Sequence, residues 1–461
     1  MRHHRSRQGR GLRFAAPGAA KHQSRAASHW FIQRFYAPYL TFGHSLSGAL
    51  LTSQKIRSNT QFCGGGPIAI LQSYIIQTGG GQHRGPCIGS MRFLVWQWGR
   101  FGSGPRIATL LAEGLRALPE SEALLSLSTG AEILRCSNPP VCDLPVVTYE
   151  GTIGFLVRVA GALFSVRALV ERIRRLAPEV AVCAQPAPLD LVMARALDVL
   201  RVPFIVLVHD ADYHPGDGLP MQMWLQRIVC QRAAAIGTLS SHVGERLKAQ
   251  GLAGTPARPL IRLRLPPIGF AMPPRCPRQN GSLRLLMFGR LLPYKGLDLL
   301  GEALSLLGSR PELEVRVVGS GPESPALDSL RARPGVAVEN RWVPEGEVGA
   351  LLAWSDALVL PYREASQSGI AAVAIAAGRR VLATNVGGLA EQFEHQPLAL
   401  LCEPDARSLA SGLEQLLDTA PEQDDPPIID PGIAWRDMAA GLCHQIAALG
   451  LRASNSIRTP R

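Results

Sequence analysis

Two cations stand five residues apart in the stretch Phe288-Gly289-Arg290-Leu291-Leu292-Pro293-Tyr294-Lys295-Gly296. A guanidinium can fork onto two phosphate oxygens, and an ammonium adds a compact point charge. An apolar run precedes Gly289 and a helical pattern follows Gly296, so the pair falls between a strand and a helix start. The field of a helix N-terminus adds to both cations, which makes the segment a candidate diphosphate site. Two solvated loop cations would spell the same letters. A second turn, Val318-Gly319-Ser320-Gly321-Pro322, also joins a strand to a helix and lets a ligand approach the backbone. It lacks the third glycine of a dinucleotide fingerprint, and tight turns use glycine anyway. A third segment, Glu364-Ala365-Ser366-Gln367-Ser368-Gly369, precedes a small-residue helix that ends near Gly378, and it offers backbone N–H groups to an anion. Upstream, His209 and Asp210 follow the buried run Phe204–Val208. A neutral imidazole there can hydrogen-bond a hydroxyl, or simply cap a loop. The glycine-rich turn with Gly102, Ser103 and Gly104 reads as a phosphate or acceptor loop, or as a plain turn.

These segments need a scaffold that brings loop after loop to one edge. Short apolar strands alternate with helical patterns from Met91 onward. Strands are expected at Met91–Trp96, Val146–Thr148, Val180–Ala184, Phe204–Val208, Leu283–Phe288, Glu314–Val318, Ala357–Leu360 and Arg380–Ala383. One long helix is expected over Phe155–Leu176. It carries Arg158, Arg167, Arg172, Arg174 and Arg175, a pattern that fits a solvated face or an anionic membrane surface. Alternation of this kind predicts an α/β fold with parallel sheets. Pro266, Pro267, Pro273, Pro274 and Pro277 mark a linker. The expected organisation is an extension over 1–90, a first domain over 91–265, a linker over 266–282, a second domain over 283–430, and a final helix with a tail over 431–461.

Composition narrows the class. Residues 1–90 hold 11 Lys and Arg and no acid, while the other 371 hold 37 against 36 acids. The net charge of +12 therefore belongs to the first fifth, and the folded part gives no sign of specific nucleic-acid binding. A nucleic-acid arm, an organelle transit peptide, or a stretch foreign to the natural protein all fit that segment; its abrupt end at Met91 favours the last. It has little periodic apolar surface and is expected to be disordered. No apolar run reaches the roughly 18 residues that cross a bilayer. The nine cysteines form no C-x-x-C pair, which suggests a reducing compartment.

The order of the motifs resembles the donor half of family 4 glycosyltransferases of the GT-B fold. The matching pieces are G-R-x-x-x-x-K-G, V-G-x-G-P, a strand into Pro361-Tyr362, a small-residue helix, and Val386-Gly387-Gly388-Leu389 with Glu391. The resemblance implies two doubly wound Rossmann-like domains facing across a cleft. It implies a hexosyltransferase that uses a nucleotide diphosphate sugar, retains the anomeric configuration and acts on a glycan or lipid-linked saccharide. Carried over by position, Arg290 and Lys295 bind the diphosphate, with Gly319 and Gly321 nearby. Backbone at Trp342 and Val343 meets the base, Ser368 and Gly369 meet phosphate or sugar, and His209 lies beside the transferred sugar. The family's two glutamates fall on Ala365 and Val373, with Glu364 one place out as the nearest donor-binding carboxylate. The Ser-Gln-Ser-Gly form resembles a bacterial polysaccharide-type branch. Asp210 and Asp212 spell D-x-D but are read as loop or acceptor residues, with no metal and no cofactor. The expected setting is the cytoplasm and surface polysaccharide biosynthesis, and the basic helix over Phe155–Leu176 fits either a solvated face or a peripheral contact on the inner membrane face. A sugar-nucleotide epimerase or a silent binding protein would share the fold.

Overall fold

The computed structural model describes residues 90–136, 138–214, 216, 220–275, 281–419 and 430–453. The basic extension up to residue 89, the middle of the linker and the tail beyond Ala453 lie outside them. The first run is β1 (Met91–Gln97), α1 (Ser103–Arg116), β2 (Ser121–Leu127), α2 (Gly151–Ala160), α3 (Ala162–Leu176), β3 (Val180–Cys183), α4 (Asp190–Leu200), β4 (Phe204–Val208), α5 (Pro220–Arg232), β5 (Ala235–Thr238), α6 (Ser241–Ala249) and β6 (Leu260–Arg262). The second is β7 (Leu283–Phe288), α7 (Leu297–Leu307), β8 (Leu313–Gly319), α8 (Pro325–Arg331), β9 (Val336–Asn340), α9 (Glu345–Trp354), β10 (Ala357–Leu360), α10 (Gly369–Ala376), β11 (Arg380–Thr384), α11 (Gly387–Phe393), β12 (Ala399–Cys402) and α12 (Ala406–Asp418). A last helix, α13, spans Pro431–Ala448.

Each run builds a six-stranded sheet, in the orders β2-β1-β3-β4-β5-β6 and β12-β11-β10-β7-β8-β9. All paired strands are parallel. Helices cover both faces, so β4 and β10 are buried at every position and read as unbroken apolar runs. Strand order reverses between β1 and β3 in one sheet and between β7 and β10 in the other. Crevices open at the carboxyl ends of strands at such reversals. α13 runs back over the first sheet's helices. Its Trp435 is buried and donates its indole N–H to the Pro267 carbonyl at 2.9 Å. The Trp435 carbonyl lies 2.6 Å from where a Cβ on Gly114 of α1 would stand.

Two expectations are corrected. Val146–Thr148 is no strand; Val146 makes a single parallel bridge to Ser128. The long helix over Phe155–Leu176 is broken at Gly161 into α2 and α3. The break falls on a glycine, a poor helix former. At about 100° per residue, Ile153, Leu156 and Val157 fall on the side opposite Leu169, Val170 and Ile173. Only the second set is buried; the first faces solvent, as it would along one straight helix, so the apolar pattern gives no sign of the break.

The switch point of the first sheet is pinned by a carboxyl. Asp190 opens α4 and is fully buried. It accepts hydrogen bonds from the Ala187 amide at 2.7 Å, the Trp96 indole at 3.1 Å and the Cys183 thiol at 3.3 Å. Burial outweighs these bonds and pushes its pKa up to about 7. The folded protein thus holds a proton that the unfolded chain releases near pH 4. Stability from this group is full at low pH, falls as pH rises toward 7 and is flat above. Denaturant unfolding should show a loss of about 2–3 kcal/mol between pH 5 and pH 8 that Asp190→Asn does not share. Parallel pH profiles for the two proteins would refute this.

Candidate active site

β7 ends at Phe288, and the chain turns through Gly289 into a single 3₁₀ turn at Pro293–Lys295. Gly296 follows with φ +70, and a Cβ there would lie 1.7 Å from the Pro361 carbonyl oxygen. Only glycine lets the loop lie this close to the exit of β10. The Arg363 amide then donates to the Tyr294 carbonyl at 2.8 Å, which fixes the loop from the other side. The Arg290 guanidinium reaches the Tyr294 hydroxyl at 3.3 Å. The Lys295 ammonium stands 3.7 Å from the ring centre of buried Tyr362. The Tyr362 hydroxyl touches the Ser368 hydroxyl at 3.4 Å, and Ser368 caps α10 by accepting from the Ala371 amide. Gln392 holds Ser368 in place through both its amide and its carbonyl.

The first sheet brings its own groups to the same space. α1 begins at Ser103 after Gly102, whose φ is +85. The Ser103 Cβ lies 4.0 Å from where Gly369 would carry one. The N-termini of α1 and α10 thus face each other across the cleft, beside Arg290 and Lys295. His209 follows β4 and is buried; its Nε2 lies 2.8 Å from the Ala184 carbonyl at the end of neighbouring β3. A carbonyl only accepts, so Nε2 carries the proton and Nδ1 is left as the ring's acceptor. Burial holds the His209 pKa below its ordinary value, so the ring is neutral.

One cleft of about 440 Å³ gathers these groups. Gly102, Ser103, Gly104, His209, Asp210, Arg290, Lys295, Gly319, Trp342, Val343, Ser368 and Gly369 all line it. Two predicted residues lie elsewhere. Gly321 packs on the neighbouring loop, where a Cβ would come 2.1 Å from the Leu291 carbonyl oxygen. Its requirement is backbone against backbone. Glu364 does not line the cleft; its Oε2 lies 3.3 Å from Nδ1 of His214, which does. The positions of the family's glutamate pair, Ala365 and Val373, are apolar patches of the cleft wall.

The sequence reading passed over the groups that tie the two sheets together. His214 stacks on Tyr294 with centroids 4.7 Å apart and meets Asp210 at 3.4 Å, Glu364 at 3.3 Å and Ser366 at 3.3 Å. The Asp210 contact chiefly, and Glu364 with it, raise the His214 pKa above its ordinary value despite burial. Burial pushes the Asp210 carboxyl up, but the His214 bond and the two nearby histidines bring it below the usual range. At the opposite end, Glu132 accepts from the Trp342 indole at 3.2 Å and from the Glu345 amide at 3.2 Å, and Arg106 pairs with Glu345. Apart from Asp210 and His214, four residues apart, these partners are far apart in sequence, so no local pattern announces them; His214, the next histidine after His209, is the one visible hint. Asp212 is held by Arg246 and Gln250 through both oxygens. Among the described residues no three His, Cys, Asp or Glu side chains gather as metal ligands.

Two facing doubly wound α/β halves with a cleft between them define the GT-B architecture. The structure of Anabaena HepE in complex with UDP and glucose shares it at a TM-score of 0.53 and 18% identity, covering 78% of this chain and 98% of that one. The family model described as glycosyl transferase 4-like domain matches residues 102–265, and that described as glycosyl transferases group 1 matches residues 282–419. With well over half its length in these two domains, the chain belongs to the family 4 type of GT-B glycosyltransferases. A D-inositol 3-phosphate glycosyltransferase of Jonesia denitrificans is 37% identical over 134 residues, 27% of this chain and 31% of that protein. The match thus spans about a third of that relative's length. A 2-deoxystreptamine glucosyltransferase of Streptomyces kanamyceticus is 26% identical over 280 residues, 56% of this chain and 71% of that protein.

Proposed function

We propose that the chain transfers a hexosyl group from a nucleotide diphosphate donor to a hydroxyl of a glycan or lipid-linked saccharide. The observation that carries this reading is the convergence of Arg290, Lys295 and the α1 and α10 N-termini on the cleft that also holds His209. Two cations and two helix dipoles neutralise a departing diphosphate, the task a divalent ion performs in metal-dependent transferases. The bond from C1 to the diphosphate breaks with its electron pair leaving on phosphate. The acceptor oxygen bonds to C1, and its proton passes to the leaving phosphate oxygen. Arrival on the departure face retains configuration. Trp342 and Val343 offer backbone to the base at the far end of the cleft, with Glu132 and Glu345 beside them. The similarity to a D-inositol 3-phosphate glycosyltransferase and a 2-deoxystreptamine glucosyltransferase supports a hydroxyl acceptor. The Ser366-Gln367-Ser368-Gly369 form supports a role in bacterial surface polysaccharide synthesis.

The test is product analysis with radiolabelled UDP- and GDP-sugars and a lipid-linked saccharide extract. A labelled glycoside is the expected product. Release of an epimer with free nucleotide, or recovery of unchanged donor throughout, would replace this reading by an epimerase or a binding protein.

A further inference from the structure

Five of the six most exposed large apolar side chains among the described residues fall between positions 141 and 157. They are Ile153 at 80% exposure, Val141 at 70%, Val157 at 65%, and Val147 and Leu156 at 60% each. Ile153, Leu156 and Val157 share one side of α2 by their i, i+3, i+4 spacing. Phe155 holds the helix to the fold, edge-on to Tyr149 at 5.0 Å. Water gains nothing from such a stripe, and a contiguous exposed apolar face marks a docking surface.

The charges around it choose the occupant. Asp143, Glu150 and Glu171 are each paired with an arginine, Arg116, Arg100 and Arg174 in turn. Arg158 and Arg172 donate to the Thr148 and Pro145 carbonyls, on either side of exposed Val147. Arg167 is exposed on α3. The frame of the apolar stripe is therefore positive. It is also continuous with the cleft. Arg100 donates to the Tyr149 carbonyl at 3.2 Å and to Glu150 at 2.8 Å, and the next residue, Phe101, is exposed and packs edge-on against Trp342 at the cleft wall.

We propose that α2 and the segment leading into it seat the protein on an anionic phospholipid bilayer. The apolar side chains enter the interface and the arginines meet headgroup phosphates. The consequence rests on the transfer reading above: a saccharide tethered to lipid would reach the cleft from the Phe101 side. No helix among the described residues is long and apolar enough to cross a membrane, and this contact needs none.

The experiment is flotation of the full chain with phosphatidylcholine vesicles and with vesicles carrying about 30% phosphatidylglycerol, the composition chosen to give a negative surface. Residues 1–90 are basic and attract such vesicles themselves, so the informative comparison keeps them in both proteins. The variant Ile153→Ser/Leu156→Ser/Val157→Ser should lower the partition onto anionic vesicles at least about tenfold. Arg167→Gln should reduce the preference for anionic over neutral vesicles. Equal partitioning of wild type and triple variant would overturn the proposal. So would sedimentation showing that the wild type self-associates through this face and the triple variant does not. If the triple variant fails to fold, Leu156→Trp supplies a second reading: brominated lipid should quench the added fluorescence, and no quenching would refute the contact. Transfer to a water-soluble acceptor should be equal in wild type and triple variant. Loss of transfer in both would count against the transferase reading, while vesicle partition alone decides the membrane contact.

Discussion

Replacing Arg290 and Lys295 together by alanine should weaken nucleotide-sugar binding by roughly 10²–10⁴-fold, with each single variant losing roughly ten- to a hundredfold. A hydrogen bond to a charged group contributes about 1.5–3 kcal/mol, and about 1.4 kcal/mol is a factor of ten in affinity. The two cations act on one diphosphate from one loop, so their losses should come close to adding. The loop itself should survive. It is fixed by backbone bonds from Lys295 to Leu292 and from Arg363 to Tyr294, and by the glycine contact at Gly296, none of which needs a charge. Lys295 does lie over the Tyr362 ring, so Lys295→Met, which keeps the apolar stem, separates packing from charge. Calorimetric titration with UDP-glucose and GDP-mannose measures the effect. Affinities within twofold of wild type in the double variant would remove this loop from the site.

The loops that hold these cations were readable because their chemistry is local. A strand ending in glycine, two spaced cations and a helix start occupy nine residues, and the structure puts both cations in the cleft. β4 and β10 are legible because buried parallel strands read as short unbroken apolar runs, and β7 is broken only by Arg284, which pairs with buried Asp356. Most of the strands absent from the sequence expectation lack that mark, although β12, Ala399-Leu400-Leu401-Cys402, is a half-buried apolar run. β2 carries Glu122 and two serines, β5 is Ala235-Ile236-Gly237-Thr238, and β9 is a half-exposed edge strand with Glu339 and Asn340. The break at Gly161 is hidden because the exposed stripe of α2 and the buried stripe of α3 lie on opposite sides, as they would along one continuous helix. His214, Glu132 and Arg106 are hidden too. Each is an ordinary polar residue until the second sheet is brought opposite. Gly321 shows the reverse error, since a glycine demanded by the Leu291 carbonyl looks in sequence like one demanded by a phosphate.

His209→Ala should lower kcat by about two to three orders of magnitude while the donor Kd moves by less than about threefold. The geometry gives the reason. Nε2–H is committed to the Ala184 carbonyl at 2.8 Å, so the ring presents an acceptor at Nδ1 and has no proton there to donate. Burial keeps it in that neutral form. As the bond to the diphosphate breaks, positive charge grows on the sugar and its hydroxyls become better donors. A hydrogen bond into Nδ1 then strengthens toward the transition state, and an interaction of that kind raises kcat more than affinity. Removing a preorganised partner of developing charge costs about 2.7–4 kcal/mol elsewhere, which sets the expected loss. The sign of the pH dependence follows. Protonation would turn the acceptor into a donor, so turnover should fall on the acid side, and the depressed pKa moves that fall below the usual histidine range. His209→Asn offers a discriminating control, because its Oδ1 can stand near the lost Nδ1 and accept. Partial recovery of kcat in this variant over alanine is the expected outcome. Equal losses of kcat and affinity in His209→Ala would make the residue a binding group only, and full activity would leave it as the clamp between the ends of β3 and β4.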